Sequence, residues 1–168
     1  MKIKKLTATF GALDGAVLDP GPGLTVITAP NEGGKSTWAG FWKAMLYGID
    51  TRERDKSGFL ADKTRYLPWS GAPMAGEAQV EWGGREVTLR RFPTRTNPLG
   101  GFEAVYTATG DPVPGLAAAN AGERLTGVGR EVYLRSAFVG QGGAAIGASR
   151  ELEARIAALA TSGEEDVA

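Results

Sequence analysis

Cysteine and histidine are both absent from the 168 residues of this chain. Without cysteine there is no disulfide, no thiolate metal site and no cysteine nucleophile. Without histidine the chain lacks the commonest general base and the commonest metal ligand. Catalysis or metal binding that depends on either side chain is therefore excluded within these residues.

A net charge is also absent, because 19 Lys and Arg residues balance 19 Asp and Glu residues. No overall field draws the chain onto nucleic acid or a membrane, although local patches can still act. No apolar run approaches the roughly 20 residues that a membrane-spanning helix needs. The basic start, Met1 to Thr7, continues into a strand pattern rather than a signal peptide. We expect a soluble, cytoplasmic protein with one globular domain.

What the chain does have is a glycine-rich loop with the spacing of a Walker A phosphate-binding motif. The pattern is Ala or Gly, any four residues, Gly-Lys, and then Ser or Thr. Position 29 is Ala, which the looser form of the pattern allows. The matching residues are Ala29, Pro30, Asn31, Glu32, Gly33, Gly34, Lys35 and Ser36, followed by Thr37.

The segments on either side of the loop support this interpretation. Leu24 to Thr28 is a short β-branched apolar run, which predicts a buried strand. Residues 37–47 contain no proline and predict a helix, with Gly48 at the position of its C-cap. A strand that enters a glycine-rich turn and leaves as a helix directs several backbone N–H groups at one point. That point suits a polyphosphate.

Each residue type in the loop has a chemical reason to be there. Gly33 and Gly34 leave room for the backbone to approach the phosphates closely. Lys35 is expected to reach the β- and γ-phosphates, and the hydroxyl of Ser36 to bind Mg²⁺. The predicted ligands are therefore ATP and Mg²⁺, with Pro30, Asn31, Glu32 and Thr37 completing the loop.

The rest of the chain is rich in strand patterns. The predicted strands are Lys2 to Phe10, Gly11 to Leu18, Glu77 to Trp82, Arg85 to Phe92 and Phe102 to Thr107. Gly83-Gly84 between the third and fourth strands is typical of a hairpin turn. We interpret Asp50 to Lys63 as a charged excursion, residues 66–71 as an aromatic turn, and residues 130–135 as a short helix. Ser149 to Ala160 predicts a helix whose apolar stripe is either a core face or the root of a coiled coil.

The loop, the preceding Phe10-Gly11 and the helix that ends in Met45 to Ile49 together carry a family resemblance. They resemble the N-terminal head segment of the SMC/SbcC-like repair ATPases, and most closely the bacterial YhaN-type AAA proteins. Tyr66 to Gly71 with the following hairpin is similar to the β-rich insertion of that subgroup. Phe138 to Gln141 looks like its Q-loop. The resemblance spans nearly the whole chain.

This resemblance implies an ABC-type ATPase head. In such a head the Q-loop glutamine contacts Mg²⁺ and the attacking water, a role that falls on Gln141. Lys35 and Gln141 would then be the catalytic residues, and Ser36 and Gln141 would share the metal. The alternative interpretation of Gln141 is a solvent-exposed turn residue.

The sequence also shows what a complete ATPase site would still require. Phosphoryl transfer needs a carboxylate that holds the metal and a group that stabilises transition-state charge. No four apolar residues followed by Asp-Asp or Asp-Glu occur, and neither does a Ser-Gly-Gly-Gln signature. We therefore expect half a site, which binds nucleotide weakly and hydrolyses it poorly alone. The implied partners are a missing C-terminal ATPase lobe on the same or another chain, and a second head that pairs in an ATP-dependent way.

Four arginines are candidates for contact with double-stranded DNA, namely Arg85, Arg90, Arg91 and Arg95. Phosphate contacts are typically made by Lys and Arg, and the resemblance implies DNA, and with it a nuclease subunit, as partners. The alternative is a solvated basic face without a partner.

The predicted fold is α/β, the N-terminal lobe of a P-loop NTPase, β-rich with one P-loop helix and C-terminal helices leading toward a coiled coil. We expect a head lobe over residues 1–147, with the loop at 29–37, a β-rich insertion at 66–107 and the Q-loop near 141. Residues 148–168 would begin a coiled-coil helix or a linker that is cut short. The expected function is the ATP-binding half of an SMC/SbcC-like ATPase in DNA repair or chromosome maintenance. The alternative is a nucleotide-binding interaction module that does not hydrolyse ATP.

Overall fold

A computed structural model of the chain describes residues 1–138. They fall into two units, Met1–Leu125 and the part of Thr126–Ala168 that is described. Gln141 and the helix predicted at Ser149 to Ala160 lie outside the described residues. Among the described helices, none is long and apolar enough to cross a membrane.

The first unit is built on one five-stranded antiparallel sheet. The strands are β1 (Lys2–Phe10), β2 (Leu13–Leu18), β3 (Ala75–Trp82), β4 (Arg85–Phe92) and β5 (Gly101–Tyr106), in the order β2-β1-β3-β4-β5. All five correspond to predicted strands; β1 and β4 have the predicted bounds, and the ends of the other three are shifted by at most two residues. Gly83 and Gly84 both have positive φ angles, as a two-residue hairpin turn between twisted strands requires. Because β3 pairs directly with β1, the strands from residues 66–107 belong to the same sheet as the N-terminus.

Helix α1 (Lys35–Tyr47) packs on the inner face of this sheet and forms the core with it. Phe41 of the helix meets Phe10 of β1 edge to face, with ring centroids 5.6 Å apart. Gly76 of β3 lies directly beneath the helix, where an added Cβ would be 2.4 Å from the Phe41 ring and 2.7 Å from the Met45 sulfur. The alternation of apolar and polar residues along the strands produces this single buried face.

The opposite face of the sheet carries paired charges. Arg90 of β4 lies between Glu77 of β3 and Glu103 of β5, and its guanidinium donates to both carboxylates at 2.9 Å. These hydrogen bonds, with the Glu103 bond the stronger cause, raise the pKa of Arg90. Lys2 and Lys4 share Glu81 in the same way, and the Lys4 hydrogen bond is the main reason that the pKa of Glu81 is lowered. The outer face is therefore polar and largely self-neutralised.

The connection between α1 and β3 contains the short helix α2 (Asp62–Arg65). Within the stretch predicted as a charged excursion, Asp55 accepts hydrogen bonds from the Ala61 N–H at 2.8 Å and the Thr64 hydroxyl at 3.0 Å. After β5 the chain forms α3 (Ala121–Thr126). In the second unit, α4 (Arg130–Ser136) confirms the short helix predicted there.

The predicted strand from Leu24 to Thr28 is wrong for this chain. The segment has no regular secondary structure, and none of the five strands in residues 1–138 pairs with it. Leu24 is 92% exposed, Val26 73% and Ile27 38%. An apolar run of this kind becomes a buried strand only when neighbouring strands cover it, and the sheet ends at β2 without reaching it.

Arg91, one of the four candidates for DNA contact, is buried and therefore not available for such a contact. Arg91 points to the inner face of the sheet and is only 3% exposed. Its guanidinium donates to the carbonyl oxygens of Met45 at 2.9 Å and Leu46 at 3.4 Å, which are orphan acceptors at the end of α1. It also bonds to the carbonyls of Leu99 and Ala118.

The environment of Arg91 is unusual because no carboxylate compensates the buried charge among these contacts. Burial lowers the pKa of Arg91 to about 10, so the side chain still carries its charge at neutral pH. The negative end of the α1 dipole and the four carbonyl oxygens stabilise that charge. Arg91 thereby ties the C-terminal end of α1 to strand β4.

We predict that Arg91→Lys lowers the free energy of unfolding by about 2 kcal/mol or more, because a lysine cannot reach all four carbonyls and buried acceptors lose their partners. Chemical denaturation followed by circular dichroism measures this. The matched control is Arg90→Lys, at the preceding residue and on the outer face of the sheet. It should lower the free energy of unfolding by less than about 1 kcal/mol. Equal losses in the two variants would contradict the assignment of Arg91 as the anchor of α1.

Candidate phosphate-binding site

The predicted loop lies at the N-terminal end of α1, as the motif requires. Gly34 is the residue before the helix and adopts a left-handed conformation, with φ of +82°. Its carbonyl accepts the first helical hydrogen bond, from the Trp38 N–H at 2.9 Å. The helix was predicted from Thr37 to Tyr47 and begins two residues earlier, and Gly48 caps its end through its N–H to Ala44.

A Cβ does not fit at Gly33, and the left-handed φ of Gly34 makes any larger residue there strained. A Cβ on Gly33 would be 2.7 Å from the Ala29 Cβ and 3.0 Å from the Pro30 carbonyl oxygen, which the Gly33 N–H itself binds at 3.1 Å. A Cβ on Gly34 would be 3.0 Å from the side chain of Leu13 in β2. The loop is thus folded tightly on itself and rests on the sheet through Gly34.

Glu32 is the only non-glycine residue with a positive φ, +66°, in residues 1–138. Conformations of this kind cost on the order of 1 kcal/mol or more for a residue with a Cβ, and they concentrate at functional sites. The neighbouring Asn31 and Glu32 form an exposed turn over the loop. The backbone path of the loop is therefore maintained against a local preference.

The electrostatic character of the site favours an anion. No side chain caps the N-terminus of α1, and its first turn contains no acidic residue. The positive end of the helix dipole and its unpaired N–H groups are thus not neutralised from within the helix. A phosphate is the kind of ligand that such a helix end binds.

Lys35 lies across the loop in this structure. Its ammonium group donates to the carbonyl oxygens of Ala29 and of Pro30, the latter at 2.7 Å. Lys35 and Ser36 are exposed and Thr37 is half-buried. The functional groups proposed for phosphate and Mg²⁺ binding are therefore accessible, and the residues present fit a polyphosphate with its metal.

A second segment approaches the loop, which the sequence did not reveal. The Gly11 N–H donates to the Tyr66 carbonyl at 2.8 Å, and the Trp69 N–H donates to the Gly11 carbonyl at 2.9 Å. A Cβ on Gly11 would be 3.0 Å from the methyl group of Thr37. The aromatic turn at residues 66–71 was predicted, but its attachment beside the phosphate loop depends on distant contacts that no local pattern encodes.

The remaining candidates are not brought to this loop by the described contacts. Arg85 stacks over the Tyr106 ring at 3.5 Å from its centroid, Arg90 is ion-paired on the outer face, and Arg91 is buried. Arg95 is exposed in the loop between β4 and β5. Within the described residues there is no cluster of three or more acidic side chains that could hold a metal ion.

Comparison with known proteins gives one family. The family described as AAA domain matches residues 1–167, nearly the entire chain. No curated protein matches it.

We predict that Gly33→Ala weakens ATP binding roughly tenfold, because the added methyl group forces the loop apart where close packing is already complete. The melting temperature should change little, since the loop is exposed. Isothermal titration calorimetry and a thermal melt measure the two quantities.

Gly21→Ala is the matched control for this substitution. Gly21 precedes the loop, has no left-handed φ and has nothing within 4 Å of its added Cβ. It should leave both ATP affinity and melting temperature unchanged. Unaltered ATP binding by Gly33→Ala would show that the loop geometry is not the binding geometry.

Proposed function

The chain belongs to the AAA domain family, and on that premise we propose that it is the ATP-binding half of an SMC/SbcC-like ATPase head of the YhaN type. The observation that supports this best is the loop itself. Gly33, which has no room for a Cβ, and Gly34, with its left-handed φ, lead into an uncapped helix N-terminus, with Lys35 and Ser36 exposed beside it. A triphosphate is the ligand that this combination suits.

In the proposed complex the residues of the loop have separate tasks. Lys35 exchanges the carbonyls of Ala29 and Pro30 for the β- and γ-phosphates, so its ammonium charge moves from the loop to the ligand. The N–H groups at the start of α1 bind phosphate oxygens, and the Ser36 hydroxyl holds Mg²⁺. Bound Mg²⁺ would supply charge neutralisation at the β- and γ-phosphates. Gln141, assigned from the sequence, would complete the metal site.

The exposed segment from Leu24 to Thr28 supports the proposal that a second lobe completes the head. It lies directly before the loop without regular secondary structure, and its apolar side chains are exposed. Strands from a complementary lobe would pair with it, bury these side chains and bring the missing carboxylate next to the loop. Such burial contributes about 25 cal/mol for each Å² of apolar surface, which would offset part of the cost of assembling the two lobes.

We propose that ATP closes two complete heads on each other and that hydrolysis reopens them, in DNA repair or chromosome maintenance. Size-exclusion chromatography of a protein that carries both lobes, with and without ATP and Mg²⁺, tests this step. Pairing of heads that depends on ATP is expected. A single elution position under both conditions would contradict it.

The proposal of DNA contact no longer includes Arg91, because its side chain is buried. Arg85 and Arg95 remain candidates on exposed positions, and Arg90 would have to leave two carboxylates to bind a phosphate. A duplex-binding titration with Arg95→Ala in the two-lobe protein tests the contact. No change in affinity would favour the alternative, a solvated face.

A second function is favoured by the absence of an apolar strand ending in Asp-Asp or Asp-Glu in this sequence. The chain would then bind ATP without hydrolysing it and act as an interaction module. Phosphate release with ATP and Mg²⁺ by the two-lobe protein distinguishes the two, because the half-site predicts turnover once the second lobe is present and the interaction module predicts none.

We predict that Lys35→Ala weakens ATP binding by the unaltered chain tenfold or more, since a charged hydrogen-bond donor to phosphate is lost. Gln141→Ala should reduce the dependence of binding on Mg²⁺ rather than abolish binding. Calorimetric titration with and without Mg²⁺ measures both. Lys56→Ala, an exposed lysine on the connection after α1, serves as the control and should bind ATP normally. If Lys35→Ala binds as tightly as this control, the nucleotide assignment falls.

A further inference from the structure

The side chain of Trp69 is 71% exposed, more than that of Phe59 or Phe92. Tryptophan is highly buried on average in soluble proteins, because its ring carries a large apolar surface. Trp69 follows Pro68, which is buried, in the aromatic turn of residues 66–71. The exposed indole therefore follows directly after a buried residue, Pro68.

Backbone contacts make this turn a firm support. The Trp69 N–H and the Tyr66 carbonyl bind the two backbone groups of Gly11 at 2.9 and 2.8 Å, and the Gly71 N–H returns to Pro68 at 3.0 Å. The Tyr66 ring stacks on Phe10 with centroids 4.5 Å apart. The turn is thus held to Gly11, the residue that follows β1, through the backbone on either side of Pro68, and to β1 itself through the Tyr66 ring.

The same Tyr66 ring also lies on α1, over Gly40. A Cβ added to Gly40 would be 2.4 Å from the Tyr66 hydroxyl oxygen. The turn therefore contacts both the sheet and the P-loop helix. Close packing of Tyr66 on Gly40 fixes the position of the turn relative to that helix.

Gly11 connects the turn to the phosphate loop. It is hydrogen-bonded to Trp69 on one side, and its position for a Cβ lies 3.0 Å from the Thr37 methyl group on the other. In a loop of this type Lys35 takes the β- and γ-phosphates and Ser36 the metal, which leaves the α-phosphate to backbone N–H groups. Thr37, the residue after Ser36, lies on the side of the loop that faces Gly11. We therefore place the α-phosphate, and the nucleoside attached to it, on the side where Gly11 and Trp69 lie.

We propose that Trp69 is the platform on which the base of the bound nucleotide stacks. This inference rests on the proposed function, because it assigns the base to a site whose phosphates are held by residues 33–37. Stacking of a base on an aromatic ring tolerates any base, since every base has a π-face. The platform would add affinity for a nucleotide over a bare polyphosphate without selecting adenine.

The test compares ATP with inorganic triphosphate, both with Mg²⁺, in calorimetric titrations of the full chain. Trp69→Ala should weaken ATP binding about tenfold and leave triphosphate binding unchanged, because only the base contact is lost. Trp69→Phe should retain most of the ATP affinity. Leu67→Ala is the matched control, an exposed apolar residue of the same turn, and should bind both ligands normally.

Each other outcome overturns a defined part of the account. If Trp69→Ala binds ATP like the unaltered chain while Lys35→Ala does not, the nucleotide site stands and the platform falls, which would leave Trp69 to a macromolecular partner. If Trp69→Ala weakens ATP and triphosphate equally, the turn shapes the loop and is not a base platform. If the unaltered chain binds neither ligand, the proposed function and this inference fail together.

Discussion

Helix α1 is fixed at both ends by contacts with the sheet, and the geometry of the phosphate loop depends on this. At its N-terminal end Gly34 rests on Leu13 of β2. At its C-terminal end the Arg91 guanidinium binds the last carbonyls of the helix. Between them Phe41 and Met45 pack closely on Gly76. A helix held in this way presents its positive N-terminus at a defined point, which is the precondition for binding a phosphate there.

Within residues 1–138, which hold no cluster of three or more acidic side chains that could bind a metal ion, the five strands form one sheet. Its antiparallel strands bury one face under α1 and neutralise the other with charge pairs such as Glu77 with Arg90. The segment that leads into the phosphate loop is left outside this sheet, with Leu24 and Val26 in water. Since apolar surface of this kind is costly to leave exposed, the arrangement is understandable if a further lobe covers it. The proposed second lobe would account both for the exposed segment from Leu24 to Thr28 and for the lack of an acidic cluster within residues 1–138.

Local patterns predicted most of this fold, and the exceptions are non-local. Alternating residues and the Gly83-Gly84 turn identified the strands, and the motif identified the loop and α1. Whether Leu24 to Thr28 pairs with other strands depends on residues that are distant in sequence, which a local pattern does not include. Arg91 could have been placed correctly, since it follows Val87 and Leu89 at intervals of two on the buried face. The position of Trp69 beside the loop arises from its contact with Gly11, far away in sequence.

Amide hydrogen exchange of the full chain, followed by mass spectrometry with and without ATP and Mg²⁺, tests the central claim most directly. The account predicts that ATP slows exchange in residues 33–37, where N–H groups bind phosphate. It also predicts that Leu24 to Thr28 exchanges rapidly in both conditions, because no neighbouring strand holds its N–H groups. Unchanged exchange in residues 33–37, or protection of Leu24 to Thr28 equal to that of β3 in the chain alone, would contradict a phosphate-binding half-site that awaits a second lobe.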